Sequence, residues 1–173
     1  MTSQSGVAST TGMPQRPELA QPTAAFAGFP SGVAALCGVV NGVPRGMVAS
    51  SFAVGVSFEP ALALFSVQKT STTWPALRLA ERIGVSVLGE QHGDLCRQLA
   101  SRRDDRFAGV DIFRGGHGDI YIPGAPVWLE CSAFSETPAG DHCVVVLQVH
   151  ASHVDPARQP LVYHRKQFRR LAT

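Results

Sequence analysis

The chain has 173 residues, 45% hydrophobic and 16% charged, and its fifteen basic against thirteen acidic side chains give a net charge of +2. That length supports one domain with a full core and excludes two nucleotide-binding domains beside a substrate domain. The near balance of charge is no polyelectrolyte footprint, so nucleic acid is not expected as a partner. No apolar run is long enough to span a bilayer as a helix, so no membrane partner is expected either.

Residues 1–21 are rich in Ser, Thr, Gln, Gly and Pro and nearly lack large apolar side chains, which predicts a flexible tail. Residues 22–173 are read as the folded domain. A short helix is expected over Thr23–Phe29, stopping at Pro30. Val33–Val40 reads as a strand. Asn41-Gly42 follows it, the strongest short hairpin signal, because both turn positions tolerate positive φ. The return strand is expected over Arg45–Ala53, and another over Ala61–Val67 after the Glu59-Pro60 break.

Pro75–Arg82 reads as a helix with proline in its first turn, where a missing N–H costs nothing. A strand at Gly84–Leu88 and a helix over Gln91–Ala100 follow, the latter from Leu95, Cys96 and Leu99 at helical spacing. Gly109–Pro123 is glycine-rich and irregular. Val127–Phe134 and Cys143–Val149 are expected as a long antiparallel hairpin, and Leu161–Tyr163 as a last short strand. Strands outnumber helices, which predicts a mainly β fold: a closed or nearly closed antiparallel barrel with a few flanking helices.

Four islands interrupt the apolar pattern. Arg45–Phe52 places small residues and two hydroxyls inside a strand, which either lets a planar ligand approach the backbone or lets the strand bend. Gln68–Pro75 joins a buried strand to a helix start and carries Lys69 with the hydroxyls of Thr70, Ser71, Thr72 and Thr73. Those groups suit a phosphate monoester at a helix N-terminus, or Thr72 or Thr73 simply caps the helix. Ser101–Gly109 is a mixed-charge loop whose arginines could grip a phosphate or face solvent. Gly140-Asp141-His142 sits at a hairpin tip, where the aspartate can orient the histidine ring.

Other chemistry has little support. His150 and His153 fall on opposite strand faces, a poor metal pair, so no metal is expected. No serine lies in a nucleophile-elbow setting. Cys37, Cys96, Cys131 and Cys143 lack metal spacing. Reduced thiols and the lack of an apolar leader point to a cytoplasmic protein.

Taken in order, these islands resemble the flavin reductase family built on the FMN-binding split barrel, the small partners of two-component flavin-dependent monooxygenases. The resemblance covers residues from about Phe26 to Leu171 and rests on Phe29–Val33, Gly46–Phe52, Ser57–Pro60, Gln68–Trp74, Arg106–Gly109 and Gly140–His142. It implies an antiparallel split β-barrel and an NAD(P)H-dependent reductase using FAD or FMN with NADH or NADPH. Met47, Val48, Ala49, Ser50 and Ser51 would line the flavin ring and ribityl chain, continued by Val67, Gln68 and Lys69. Ser71, Thr72 and Thr73 would hold the phosphate, with Arg102 and Phe107 closing the phosphate and adenine side. His142 would face the nicotinamide, shaped by Asp141, and Tyr163 and Phe168 would lie near the pocket. The family usually has threonine where Val48 stands, and Ser31 replaces another. The resemblance also implies a homodimer and a monooxygenase component fed by diffusing reduced flavin. A flavin-binding or sensor module without turnover is the alternative.

Overall fold

The computed structural model describes residues 22–103 and 105–171, so the tail expected over 1–21 lies outside the described residues. The described residues open with helix α1 (Pro22–Ala27), which buries none of its side chains, and strand β1 (Ser31–Gly32). Strands β2 (Ala34–Val40) and β3 (Val43–Ala49) form the expected hairpin. Asn41 and Gly42 turn it at φ 51° and 78°, the left-handed pair that matches strand twist.

The return strand stops at Ala49 rather than Ala53. Ser50 and Ser51 break it, and β4 (Ala53–Phe58) starts afresh, pairing with β5 (Ala61–Gln68). Helix α2 (Trp74–Leu77) is a single turn, shorter than the expected Pro75–Arg82. Ala80 and Arg82 lie past its end, and the chain has already turned toward β6 (Ile83–Val87). Helix α3 (Gly93–Ala100) buries Cys96 and Leu99. The glycine-rich stretch holds a minimal hairpin, β7 (Phe113–Arg114) with β8 (Ile120–Tyr121).

The long hairpin is longer than its apolar runs suggest: β9 (Val127–Ala139) and β10 (His142–Val154) meet at a Gly140-Asp141 turn. Thr137, Pro138 and Ala139 remain in the ladder although they carry no strand signal, because the partner strand supplies the pairing. Strands β11 (Val162–His164) and β12 (Gln167–Arg169) close a small sheet with β1.

The main sheet has seven antiparallel strands in the order β3-β2-β6-β9-β10-β5-β4. One apolar cluster, including Leu36, Phe65, Trp74, Leu77, Ile83 and Val145, packs against one of its faces. A second, with Ala35, Cys37, Leu99, Ile120 and Leu161, lies on the opposite face of β2 under α3. Alternate residues of β2 serve the two clusters, and that is why Ala34–Cys37 is buried throughout.

The sheet curls so that its β3 end returns to β5. β4 pairs only with residues 61–64 of β5, which leaves one edge of Phe65–Gln68 without a strand. There Ser51 substitutes for a ladder: its Oγ donates to the Ser66 carbonyl oxygen at 3.2 Å and accepts from the Ser66 N–H at 3.0 Å. This seam is the split of the barrel, and the candidate site lies along it.

Candidate functional site

A groove of about 570 Å³ runs along the seam, a volume within the range of small-ligand sites. One wall is Met47, Val48, Ala49, Ser50 and Ser51; the facing wall is Ser66, Val67 and Gln68. The floor continues through the turn Thr70–Thr73 to the C-terminal end of α3 and Arg102, and His142 stands at the hairpin tip. Ser66 turns its N–H and carbonyl toward the seam. The two-residue repeat of a strand turns the main chain of Gln68 the same way. Its carbonyl accepts the Ser71 N–H at 2.9 Å, and its N–H faces the groove.

The turn resolves into divided duties. Ser71 Oγ accepts the Trp74 N–H at 3.2 Å and caps α2, while Thr73 has helical φ and ψ and makes no capping bond. Thr73 Oγ1 instead accepts from Arg106 Nη1 at 3.0 Å. The Thr72 hydroxyl, exposed in the groove, makes no hydrogen bond among the described residues. A one-turn helix has little macrodipole, so positive potential here comes from side chains. Arg106 also reaches the Gly46 carbonyl oxygen at 3.3 Å, tying the turn to β3.

At the tip, His142 Nδ1 lies 2.7 Å from Asp141 Oδ1. That hydrogen bond, foremost, holds the Asp141 carboxyl below its usual range. An ionised Asp141 favours the Nδ1–H form of His142 and leaves Nε2 for another partner. The tip is anchored to the turn, because the Lys69 N–H donates to the Asp141 carbonyl oxygen at 3.0 Å.

The groove therefore gathers Met47–Ser51, Val67, Gln68, Ser71, Thr72, Thr73, Arg102 and His142. It does not gather all the expected residues. Lys69 and Asp141 stand beside it, and Phe107 lines an adjoining cavity. Tyr163 and Phe168 pack on each other with ring centroids 5.7 Å apart, beside the second core cluster, and Arg97 covers the Phe168 ring at 5.0 Å. Arg106 belongs to a stretch that carries the resemblance, but its bond to Thr73 is not legible in the sequence, since one arginine in a mixed-charge run carries no mark of a turn thirty residues away.

The arrangement offers an open backbone edge, hydroxyls, one histidine and guanidinium groups around a slot floored by small residues. A model of the "Flavin reductase like domain" matches residues 26–172. The chain belongs to the flavin reductase family. Membership makes it an oxidoreductase that reduces flavin with a reduced nicotinamide. The reductase is 37% identical to the "Actinorhodin polyketide dimerase" of Streptomyces coelicolor, over 86% of this chain and 84% of the relative. It is 34% identical to the "Flavin-dependent monooxygenase, reductase subunit HsaB" of Rhodococcus jostii, over 81% and 71%. Among solved structures it resembles the "NADH:FAD oxidoreductase SgcE6" of Streptomyces globisporus C-1027 in complex with NAD and FAD fragments. That match has a TM-score of 0.82 at 33% identity and covers 90% of this chain and 97% of the other. Its fold is accordingly the mainly β, antiparallel split barrel.

Proposed function

We propose that the seam groove holds the flavin, that His142 faces the nicotinamide, and that the reduced flavin serves a separate monooxygenase component. The observation that carries this reading is the strand-free end of β5 at Gln68, facing Met47–Ser51 across a slot with hydroxyls and arginine at one end. The donor set fits a flavin. The Gln68 N–H and the β3 backbone are available to the ring and ribityl chain, and Thr72 with Arg102 to the phosphate. Val48 offers no hydroxyl, so any contact at that position is through the backbone.

Hydride exchange between nicotinamide and flavin is chemistry that the two cofactors bring with them. The chain's own residues bind and orient: Ser51 sets the width of the slot, Gln68 and Thr72 donate hydrogen bonds, and Asp141 fixes the His142 ring. An open groove, without a Rossmann unit, lets nicotinamide enter and reduced flavin leave. That suits delivery by diffusion, and relatives named as monooxygenase reductase subunits support a monooxygenase partner.

A homodimer completes the reading. Edge strand β4 leaves Val54, Val56 and Phe58 exposed, the last at 88%, and an apolar edge strand of this kind calls for a cover. A second copy is the proposed cover, and light scattering on the purified chain reads the mass. Cys37, Cys96, Cys131 and Cys143 are all free thiols, which suits a cytoplasmic location. Among the described residues, no helix is long and apolar enough to cross a membrane.

The direct test mixes the protein with NADH or NADPH and free FAD or FMN and follows loss of nicotinamide absorbance. Oxidation with at least one pair is expected. Tight flavin binding without any oxidation would favour the sensor alternative instead.

A further inference from the structure

The turn between β5 and α2 is fastened to the β9–β10 hairpin at both of its ends. At its start the Lys69 N–H donates to the Asp141 carbonyl oxygen at 3.0 Å. At its end Trp74 Nε1–H donates to Glu136 Oε1 at 3.2 Å, across 62 positions of chain. Thr72, which lines the groove, lies between these two fastenings. Glu136 is out of keeping with its register. It stands opposite Val145 in the ladder, and Val145 stands opposite Phe65. Directly paired residues share a face of the sheet, and Val145 and Phe65 are wholly buried in the first apolar cluster. A carboxylate thus occupies the core-facing side where that cluster ends. What it meets there is Trp74, 4% exposed, whose ring stands edge-on to Phe65 with centroids 5.1 Å apart and planes at 82°.

Glu136 has two partners, and their surroundings rank them. Arg78 approaches the same Oε1 at 3.5 Å, but its side chain is 49% exposed, so that pair is a surface salt bridge of little weight. The indole N–H is buried beside the core and needs an acceptor. Among the described residues Glu136 is the one it has, and a bond to a carboxylate is stronger than one between neutral groups. We propose that Glu136 is a positioning residue for flavin binding: it holds Trp74 and, through Trp74, the Thr72 hydroxyl where the flavin phosphate meets it. The inference rests on the flavin assignment of the groove. The link from Glu136 to Thr72 is short. Trp74 follows Thr73 directly, and its own N–H donates to Ser71 Oγ at 3.2 Å. A single helical turn has too few internal bonds to hold itself in place. With the indole free to swing, Thr72 would sample several positions, and ordering them as the phosphate binds would cost affinity. Glu136 removes that freedom before the ligand arrives.

The test uses the full chain freed of flavin, titrated with FAD and with FMN, and nicotinamide oxidation measured at saturating flavin. Glu136→Leu fills the space but offers no acceptor, and it should raise the flavin dissociation constant about tenfold. The kcat at saturating flavin and the KM for NADH or NADPH should stay within about twofold of the parent, a split that a general loss of structure would not give. Glu136→Gln keeps an oxygen for the indole N–H and should recover most of the affinity. Trp74→Phe keeps a ring on Phe65 but removes the N–H. It should weaken flavin as Glu136→Leu does, and the two changes together should be no worse than either alone. Arg78→Ala should leave flavin affinity at the parent value. An unchanged dissociation constant in a folded Glu136→Leu chain overturns the positioning role while the groove assignment stands. So does equal weakening by Glu136→Gln and Glu136→Leu, or additivity of the Trp74 and Glu136 changes. A parent chain that binds neither flavin overturns the groove assignment and the inference with it. If Glu136→Leu does not fold, Trp74→Phe decides, because unchanged affinity without the N–H refutes the link.

Discussion

Ser51 Oγ is bonded to both main-chain polar groups of Ser66, donating at 3.2 Å and accepting at 3.0 Å. One side chain thus does at the seam what a strand pair does elsewhere in the sheet. It also limits the functional reading, because a hydroxyl already making two bonds is a spacer for the slot before it is a ligand contact. Each exposed bond contributes about 0.5–1.5 kcal/mol, so Ser51→Ala should cost about 1–2 kcal/mol of stability. Urea unfolding should show a lower midpoint with the same slope. Flavin affinity should fall as well, since the slot widens, and Ser51→Thr should restore part of both. An unchanged midpoint in the alanine variant would remove the seam from the account.

Two glycines are expected to differ in what they tolerate, because of what surrounds them. A Cβ on Gly84 would lie 2.2 Å from the Ile120 carbonyl oxygen, whereas one on Gly46 would meet the Phe107 ring at 2.7 Å and Cys37 Sγ at 2.9 Å. Backbone held in place by β6 and β8 cannot retreat, but a half-buried phenyl ring can. Gly46→Ala should therefore cost about 1–3 kcal/mol by overpacking, and Gly46→Ala with Phe107→Leu should recover much of it. Gly84→Ala should lose soluble, folded protein altogether. Circular dichroism melts of the three variants rank them, and a Gly84→Ala variant as stable as the parent would show that the close approach is not fixed.

Much of this was legible in the sequence wherever local chemistry and tertiary placement agree. Asn41-Gly42 specified a hairpin because its conformational demand is local, and Met47–Ser51, Gln68, Thr72 and His142 do meet in one groove. Interactions between distant segments were harder to see. Nothing in the residues around Ser51 announces Ser66, fifteen positions on, as its partner. The mixed-charge loop leaves its arginines open between an anion and solvent, and only the fold shows that Arg106 reaches Thr73. The helix after the turn was overestimated because Pro75–Arg82 has helical composition, although only five residues separate Leu77 from the start of β6. Tyr163 and Phe168 were placed by likeness to a family, and in this structure they pack on each other at a tilt of 57° beside the second core cluster.

The hairpin tip should affect nicotinamide more than flavin. His142 is oriented by Asp141 at 2.7 Å, and both are held against the Lys69 main chain. His142→Ala should raise the KM for NADH or slow reduction by about tenfold, with flavin affinity changed far less. Asp141→Asn keeps the hydrogen-bonding shape but removes the charge that fixes the tautomer, so it should fall between wild type and His142→Ala. Steady-state kinetics at saturating flavin, beside a flavin titration, separates the two effects. A loss confined to flavin affinity would place His142 on the wrong cofactor.

His92 makes the reductase lose stability in mildly acidic solution. Its Nδ1 accepts the Gly89 N–H at 2.9 Å and its Nε2 donates to the Pro123 carbonyl oxygen at 3.0 Å, an arrangement only the neutral ring can make. Burial, chiefly, holds its pKa below the ordinary 6.5; Arg158 pushes the same way and the Pro123 bond opposes. Below about pH 6.5 the unfolded chain therefore takes up a proton that the folded chain resists, and stability falls as pH is lowered through that window. Above it the term is constant. His92→Gln cannot titrate, so it should be the less stable protein at pH 8 yet lose less on acidification, and the gap should narrow between pH 7 and pH 5. Urea midpoints across that range measure it. A gap that stays constant would mean that His92 keeps its proton equilibrium on folding and that the Gly89 and Pro123 bonds do not select the neutral ring.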